Sequence, residues 1–228
     1  MRRALIGLLM TAACAHGGDR GAAAPELAEA PEPWNYERHV AARTAEIAAS
    51  PVERGGVLFV GDSITLGGGD WSRWFPGVVT SNQGIGGDRT AALVGRMPTI
   101  TRGTPERVFL MIGTNDLSGG LTPEEAASGA IAVARGIQEG IPDAGLYVQA
   151  VLPREAAMAD AVKAVNARLA AAAETVGYTY LDIHPAFEVE GGTLDPAVTE
   201  DDLHLTDAGY ARWASLIDGC VRQGCQGL

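Results

Sequence analysis

Basic residues are scarce in this 228-residue chain: 17 Lys and Arg against 28 Asp and Glu leave a formal net charge of -11. Nucleic-acid binding depends on clustered Lys and Arg that displace counterions from phosphates, so that class of partner is set aside. Histidine and cysteine are also rare, at four and three residues. A metal reading of Asp201, Asp202, His204 and Asp207 is weak, because no second His or Cys cluster at ligand spacing accompanies it. A dinucleotide fingerprint is missing too. The glycine-rich Gly84-Ile85-Gly86-Gly87 follows the second strand candidate rather than the first and lacks the G-x-G-x-x-G spacing.

What the N-terminus offers is Arg2 and Arg3, the apolar stretch Ala4 to Met10 and the small Thr11-Ala12-Ala13. These read as the charged, apolar and cleavage regions of a signal peptide over 1–14, because a bilayer-spanning helix needs about 20 apolar residues. Residues 15–34, rich in Gly, Ala, Glu and Pro, read as a flexible tether, and 35–228 as one domain, a size that supports a single core. Two readings of Cys14 stand. Its position resembles the lipid-modified cysteine of bacterial lipoproteins, which would make a lipid anchor the only membrane link; cleavage after Ala15 would instead release a soluble chain. Either way the protein is expected to be exported, to a periplasmic or extracellular location, where Cys220 and Cys225 can form a small terminal disulfide.

Short apolar runs at Val57–Val60, Val78–Val79, Val108–Ile112, Leu146–Val151 and Tyr178–Ile183 suggest five strands. Helical patterns lie at Asn35–Ser50, Arg89–Ile100, Pro123–Gln138 behind the N-cap Thr122, Ala156–Val176 and Leu205–Ile217. Continuous apolar strands alternating with helices predict an α/β fold, a parallel sheet covered on both faces. Ligands bind such sheets beyond the carboxyl ends of the strands, which here carry Gly61-Asp62-Ser63, Gly84 to Asp88, Gly113-Thr114-Asn115-Asp116 and Asp182-Ile183-His184.

A serine at a strand's carboxyl end is a nucleophile only if a base and oxyanion donors converge on it; alone it is a helix cap. Glycines 84, 86 and 87 let backbone N–H groups approach a ligand, and the Asn115 amide can donate to a developing oxyanion. His16 and His39 precede the core. His204, with a carboxylate three residues back, is the first-choice base, and His184 the second. Trp71, Trp74 and Phe75 follow Ser63 at helical spacing, which suits inward packing; the alternative is a substrate pocket lined by Asp62, Trp71 and Trp74.

The ordered set Gly61-Asp62-Ser63-Ile64, Asn82 to Asp88, Gly113-Thr114-Asn115-Asp116 and Asp201-Asp202-Leu203-His204 resembles the SGNH hydrolase superfamily of GDSL esterases and lipases. Within it, the chain resembles the branch that includes the platelet-activating-factor acetylhydrolase catalytic subunits, over about Val57 to Ile217. The resemblance implies a three-layer α/β/α, flavodoxin-like five-stranded sheet and no metal or cofactor. It implies Ser63 as nucleophile, Asp201 and His204 as the Asp-x-x-His pair, and an oxyanion hole from the N–H groups of Ser63 and Gly87 and the Asn115 side chain. Asp202 beside Asp201 leaves open which carboxylate orients the base.

The expected activity is hydrolysis of a small acyl group, acetyl in the first instance, from a small ester such as an acetylated carbohydrate or a short-chain acyl ester. Short loops after Ser63 and around Arg154 leave little material for a lid, which favours a small acyl group. The alternatives are a lipid or lysophospholipid acyl hydrolase and a non-catalytic flavodoxin-like binding module in which the glycines hold phosphate.

Overall fold

A computed structural model describes residues 35–225 apart from Pro51 and Glu53. The expected leader, tether and Cys14 lie outside the described residues. Strands β1 (Val57–Gly61), β2 (Thr80–Gly84), β3 (Arg107–Met111), β4 (Gly145–Gln149) and β5 (Thr179–Leu181) form one sheet in the order β2-β1-β3-β4-β5, every neighbouring pair parallel. The helices are α1 (Tyr36–Ala49), α2 (Ser63–Gly67), α3 (Thr90–Gly95), α4 (Met97–Ile100), α5 (Thr114–Ser118), α6 (Pro123–Gly140), α7 (Ala159–Val176) and α8 (Asp207–Gln223). The order is that of a flavodoxin-like sheet, with its switch point between β1 and β3.

Alternate strand residues point to opposite faces, and here both sets are apolar. Leu58, Val60, Val108, Leu110, Leu146 and Val148 pack with Leu93 of α3, Ile100 of α4, Val133 and Ile137 of α6, and Val162 and Val165 of α7. Val57, Phe59, Phe109, Met111 and Tyr147 pack on the other side with Trp71, Phe75 and, from α8, Tyr210, Trp213 and Ile217. Phe59 stacks on Trp71 at 4.1 Å between centroids, and Trp213 meets Trp71 edge-on at 5.0 Å. Full burial of such a side chain contributes about 1.5–3 kcal/mol, so these layers hold the sheet rigid beneath the loops at its carboxyl edge.

Three expectations need correction. The second strand is not Val78–Val79 but the polar Thr80–Gly84, and Val79 is 57% exposed. β2 is the edge strand, with β1 on one side only, so its side chains need not be apolar. The single helix expected over Arg89–Ile100 breaks at Arg96, whose φ of -106 and ψ of 18 leave the helical basin just before Pro98, a residue with no N–H to continue the ladder. The last helix runs on to Gln223, so Cys220 sits inside α8; it is disulfide-bonded to Cys225.

Candidate active site

β1 ends at Gly61, where a Cβ would stand 2.2 Å from Thr65 Oγ1 and 2.3 Å from Met111 O. Only glycine permits this close a turn from strand to helix. Asp62 then caps α2, its Oδ1 accepting from Ile64 N at 2.9 Å, and Ser63 is the first helical residue. Two other elements hold α2 in place. Tyr210 Oη of α8 donates to Ile64 O at 2.7 Å, and Asn82 of β2 donates to Thr65 O, Leu66 O and Gly69 O at 3.0, 3.1 and 2.8 Å.

The imidazole comes from a loop closed by a bridge between Thr199 and Leu205. Inside it Asp202 takes a left-handed φ of 59 and the chain doubles back, so that Asp201 Oδ1 accepts from the N–H groups of Leu203 and His204 at 3.1 and 2.7 Å. Asp201 Oδ2 lies 2.6 Å from His204 Nδ1, and His204 Nε2 lies 2.9 Å from Ser63 Oγ. Burial works against a charge on Asp201, but the bonds from the His204 ring, the His204 N–H and the Leu203 N–H outweigh it and hold the carboxyl at about 2. An ionised carboxylate only accepts, so Nδ1 carries the proton and the lone pair of Nε2 faces the serine hydroxyl. That is the arrangement in which a hydroxyl can be deprotonated as it attacks a carbonyl.

At the same carboxyl edge of the sheet, on the strands to either side of β1, the loop after β2 and the start of α5 supply donors. Gly87 has φ of 80, and a Cβ there would meet the Tyr36 ring at 2.8 Å, so glycine is required on both counts. Asn115 Nδ2 donates to Asp88 O at 2.9 Å, which ties α5 to that loop while leaving the second amide hydrogen for a ligand. Gly87 and Asn115 line a cleft of about 610 Å³ with Tyr36, Arg89, Ala91, Ala92 and Ser118. A second cleft of about 610 Å³ runs past Asp201 and His204 and is lined further by Glu200, Leu205, Thr206 and Asp207.

The model of the GDSL-like lipase/acylhydrolase family matches residues 59–212, more than half of the chain and all of the residues just described except Tyr36. The chain belongs to that family. This GDSL hydrolase is an enzyme acting on ester bonds, and it is 28% identical over 207 residues to the platelet-activating factor acetylhydrolase IB subunit alpha2 of Gallus gallus, covering 86% of this chain and 88% of the relative. Its fold is that of a GDSL-like lipase from Bacteroides thetaiotaomicron (TM-score 0.63, 22% identity, 84% of this chain and 98% of the other). It is also that of a variant of an acetyl-xylooligosaccharide esterase from Geobacillus Stearmophilus (TM-score 0.61, 19% identity, 76% and 97%).

Within this GDSL hydrolase the remaining candidates fall out of the site. Trp71 is fully buried against Phe59 and lines neither cleft. Trp74 is half-buried, its Nε1 donates to Gly68 O at 2.9 Å, and the Arg73 guanidinium covers its ring at 4.6 Å; it lines neither cleft. Asp62 is buried as a helix cap rather than presented to a ligand. His184 is buried in the core: its Nδ1 donates to Val151 O at 2.8 Å, beside the Asn166 amide, which bonds both the N–H and the C=O of Val151. Asp202, the competing carboxylate, makes the turn instead of touching the imidazole, and Asp207 pairs with Arg73. Among the described residues no group of three or more His, Cys, Asp and Glu is placed to hold a metal ion.

Asp116 is expected from its place after the third strand to support that turn, but its partner and two further supports carry no signal in the sequence. Asp116 is buried and accepts from Thr90 N and, at 2.7 Å, from Thr90 Oγ1, joining the end of β3 to the start of α3. Asp88 is ion-paired with Arg96 at 3.0 Å, and Arg96 also donates to Gln83 O at 2.8 Å. Arg154 donates to Thr114 Oγ1 and Ser118 Oγ at 3.2 and 2.6 Å, clamping the helix that carries Asn115. Each pair is 8 to 40 residues apart in the chain, and no local pattern announces it.

Proposed function

We propose that the chain removes a small acyl group, acetyl in the first instance, from a carboxyl ester through an acyl-enzyme on Ser63. His204 takes the serine proton and later returns it to the leaving alcohol; Asp201 holds the imidazole in the tautomer that can do so. The N–H groups of Ser63 and Gly87 and the Asn115 amide receive the charge that develops on the carbonyl oxygen. Water then releases the acid and restores the hydroxyl. The observation that carries this reading is the continuous relay from Asp201 through His204 to Ser63, at 2.6 and 2.9 Å.

A short acyl group is supported by two likenesses: the avian relative is named an acetylhydrolase, and one fold neighbour an acetyl-xylooligosaccharide esterase. The test is covalent labelling with a fluorophosphonate followed by peptide mapping, together with a series of p-nitrophenyl esters from acetyl to decanoyl and a panel of acetylated sugars. An adduct on Ser63 and a kcat/KM that falls with chain length are expected. Labelling elsewhere, or a preference for long chains, would replace this reading with another nucleophile or with a lipid acyl hydrolase.

Export is part of the same proposal, supported by the basic and apolar leader and by the Cys220–Cys225 disulfide, which suits an oxidising compartment. The mass of the mature chain recovered from cell fractions decides between a lipid on Cys14 and cleavage after it.

A further inference from the structure

The two clefts of the site differ in charge. The one beside His204 is lined by Glu200, Asp201 and Asp207, whereas the only charged side chain lining the one with Gly87 and Asn115, among the described residues, is Arg89. Arg89 follows Asp88 directly and is exposed to the cleft. Its guanidinium rests on the backbone at the end of α5: a Cβ on Gly119 would stand 2.3 to 2.5 Å from its Cζ and both terminal nitrogens, so the glycine makes room for the group to lie there. Neighbouring Arg96 spends its charge on Asp88, and Arg154 pairs with Glu155. Among the described residues Arg89 makes no ion pair with a carboxylate. A guanidinium seated by packing and left without an anion is already oriented to receive one, and its fork matches carboxylate and phosphate oxygens.

We infer that Arg89 is a specificity-determining residue: in the cleft shared with Gly87 and Asn115 it binds a carboxylate or phosphate carried on the alcohol part of the ester. The apolar Ala91 and Ala92 line the same cleft and suit the uncharged remainder. The cleft beside His204 presents Glu200, whereas its Asp201 and Asp207 are paired with His204 and Arg73, so the free charge on the two sides differs in sign and sets which way the substrate lies. The inference rests on the assignment of Ser63 and the oxyanion donors above, and it adds the substrate class: esters of acidic alcohols rather than neutral ones.

Matched substrates test it: 4-acetoxybenzoate against its methyl ester, and 4-acetoxyphenyl phosphate against phenyl acetate. The quantity read is the anionic-to-neutral ratio of kcat/KM, compared between the native chain and Arg89→Gln, so that intrinsic differences in ester reactivity cancel. A charge-assisted contact at a solvent-exposed cleft predicts that the ratio falls roughly tenfold in Arg89→Gln, with part of it restored in Arg89→Lys. It is also expected to shrink in the native chain as salt rises. A larger effect with the carboxylate points to an acidic sugar or organic acid, and a larger one with the phosphate to a phosphorylated alcohol. A ratio left unchanged by Arg89→Gln for both pairs, or both members slowed equally as a structural role would do, overturns the inference. Failure of the underlying reading shows separately, as hydrolysis of the neutral esters that survives Ser63→Ala.

Discussion

Replacing Asp62 by Asn changes one buried carboxyl into an amide of the same shape, and the structure sets the size of the effect. Burial beside the relay pushes the Asp62 carboxyl up to about 7, with Asp88 and Asp116 adding to the rise and the Ile64 N–H and His204 opposing it. In the unfolded chain the same group ionises near 3.8. Below that value both states hold the proton and the group does not affect stability. Between the two values the folded state holds the proton and the unfolded state has lost it, so stability declines as pH rises and levels off above about 7. A gap of about three pH units at about 1.36 kcal/mol per unit amounts to about 4 kcal/mol, an upper bound because local relaxation and water reduce it. The substituted amide has no charge to bury and keeps an oxygen for the Ile64 N–H, so Asp62→Asn should match the native chain at pH 4 and exceed it by up to about 4 kcal/mol at pH 8. Urea unfolding at pH 4, 6 and 8 measures the difference, in which every other titrating group common to both chains cancels to first order. A difference that does not grow with pH, or a less stable variant at pH 8, refutes the reasoning.

Asn115→Ala should lower kcat by about 10²–10³ in a folded protein, since one oxyanion donor contributes roughly that much; circular dichroism and steady-state kinetics with p-nitrophenyl acetate check both halves. Asp201→Asn should lose about 10⁴ in kcat, because an amide can turn a donor toward Nδ1 and leave Nε2 protonated, the wrong tautomer. With the Asp201 carboxyl held at about 2 in the native chain, its own protonation should not limit activity above about pH 3. Gly61→Ala places a methyl group 2.2 Å from Thr65 Oγ1 and 2.3 Å from a strand carbonyl, so the soluble yield should collapse or the thermal midpoint drop sharply.

The fold was legible because its signal is local. β1, β3 and β4 are apolar on both faces, as a doubly covered parallel sheet requires, and the helices over 123–140 and 159–176 carry long periodic patterns. β2 misled because an edge strand can be polar: its residues are chosen for what they tie down, and Asn82 alone binds three carbonyls of the turn after Ser63. The candidate site was legible at the residues proposed to face the reacting atoms, because Ser63, Gly87, Asn115 and the Asp201–His204 spacing lie in the four ordered motifs that carry the family resemblance. The residues that hold them in place are ordinary in sequence. Nothing nearby in the chain distinguishes Arg96, which pairs with Asp88, from Arg89, which does not.

That difference follows from where the charges must be neutralised. Asp62, Asp88 and Asp116 are all buried at the carboxyl edge of three adjacent strands, β1, β2 and β3. Three such carboxylates close together would repel one another and the charge developing on an oxyanion, so each is handled separately. Arg96 neutralises Asp88, the Thr90 hydroxyl and N–H bond Asp116, and Asp62 keeps its proton near neutrality. If Asp88 lost its partner, the two influences of Arg96 that lower it would go, and its carboxyl, already raised by burial, would move up further and hold a proton of its own. Arg96→Met should therefore deepen the loss of stability as pH rises, and because the added titration belongs to Asp88 it should persist in the Asp62→Asn background. A pH dependence left unchanged by Arg96→Met, or a change that disappears when position 62 carries the amide, would mean that Arg96 is not what keeps Asp88 charged.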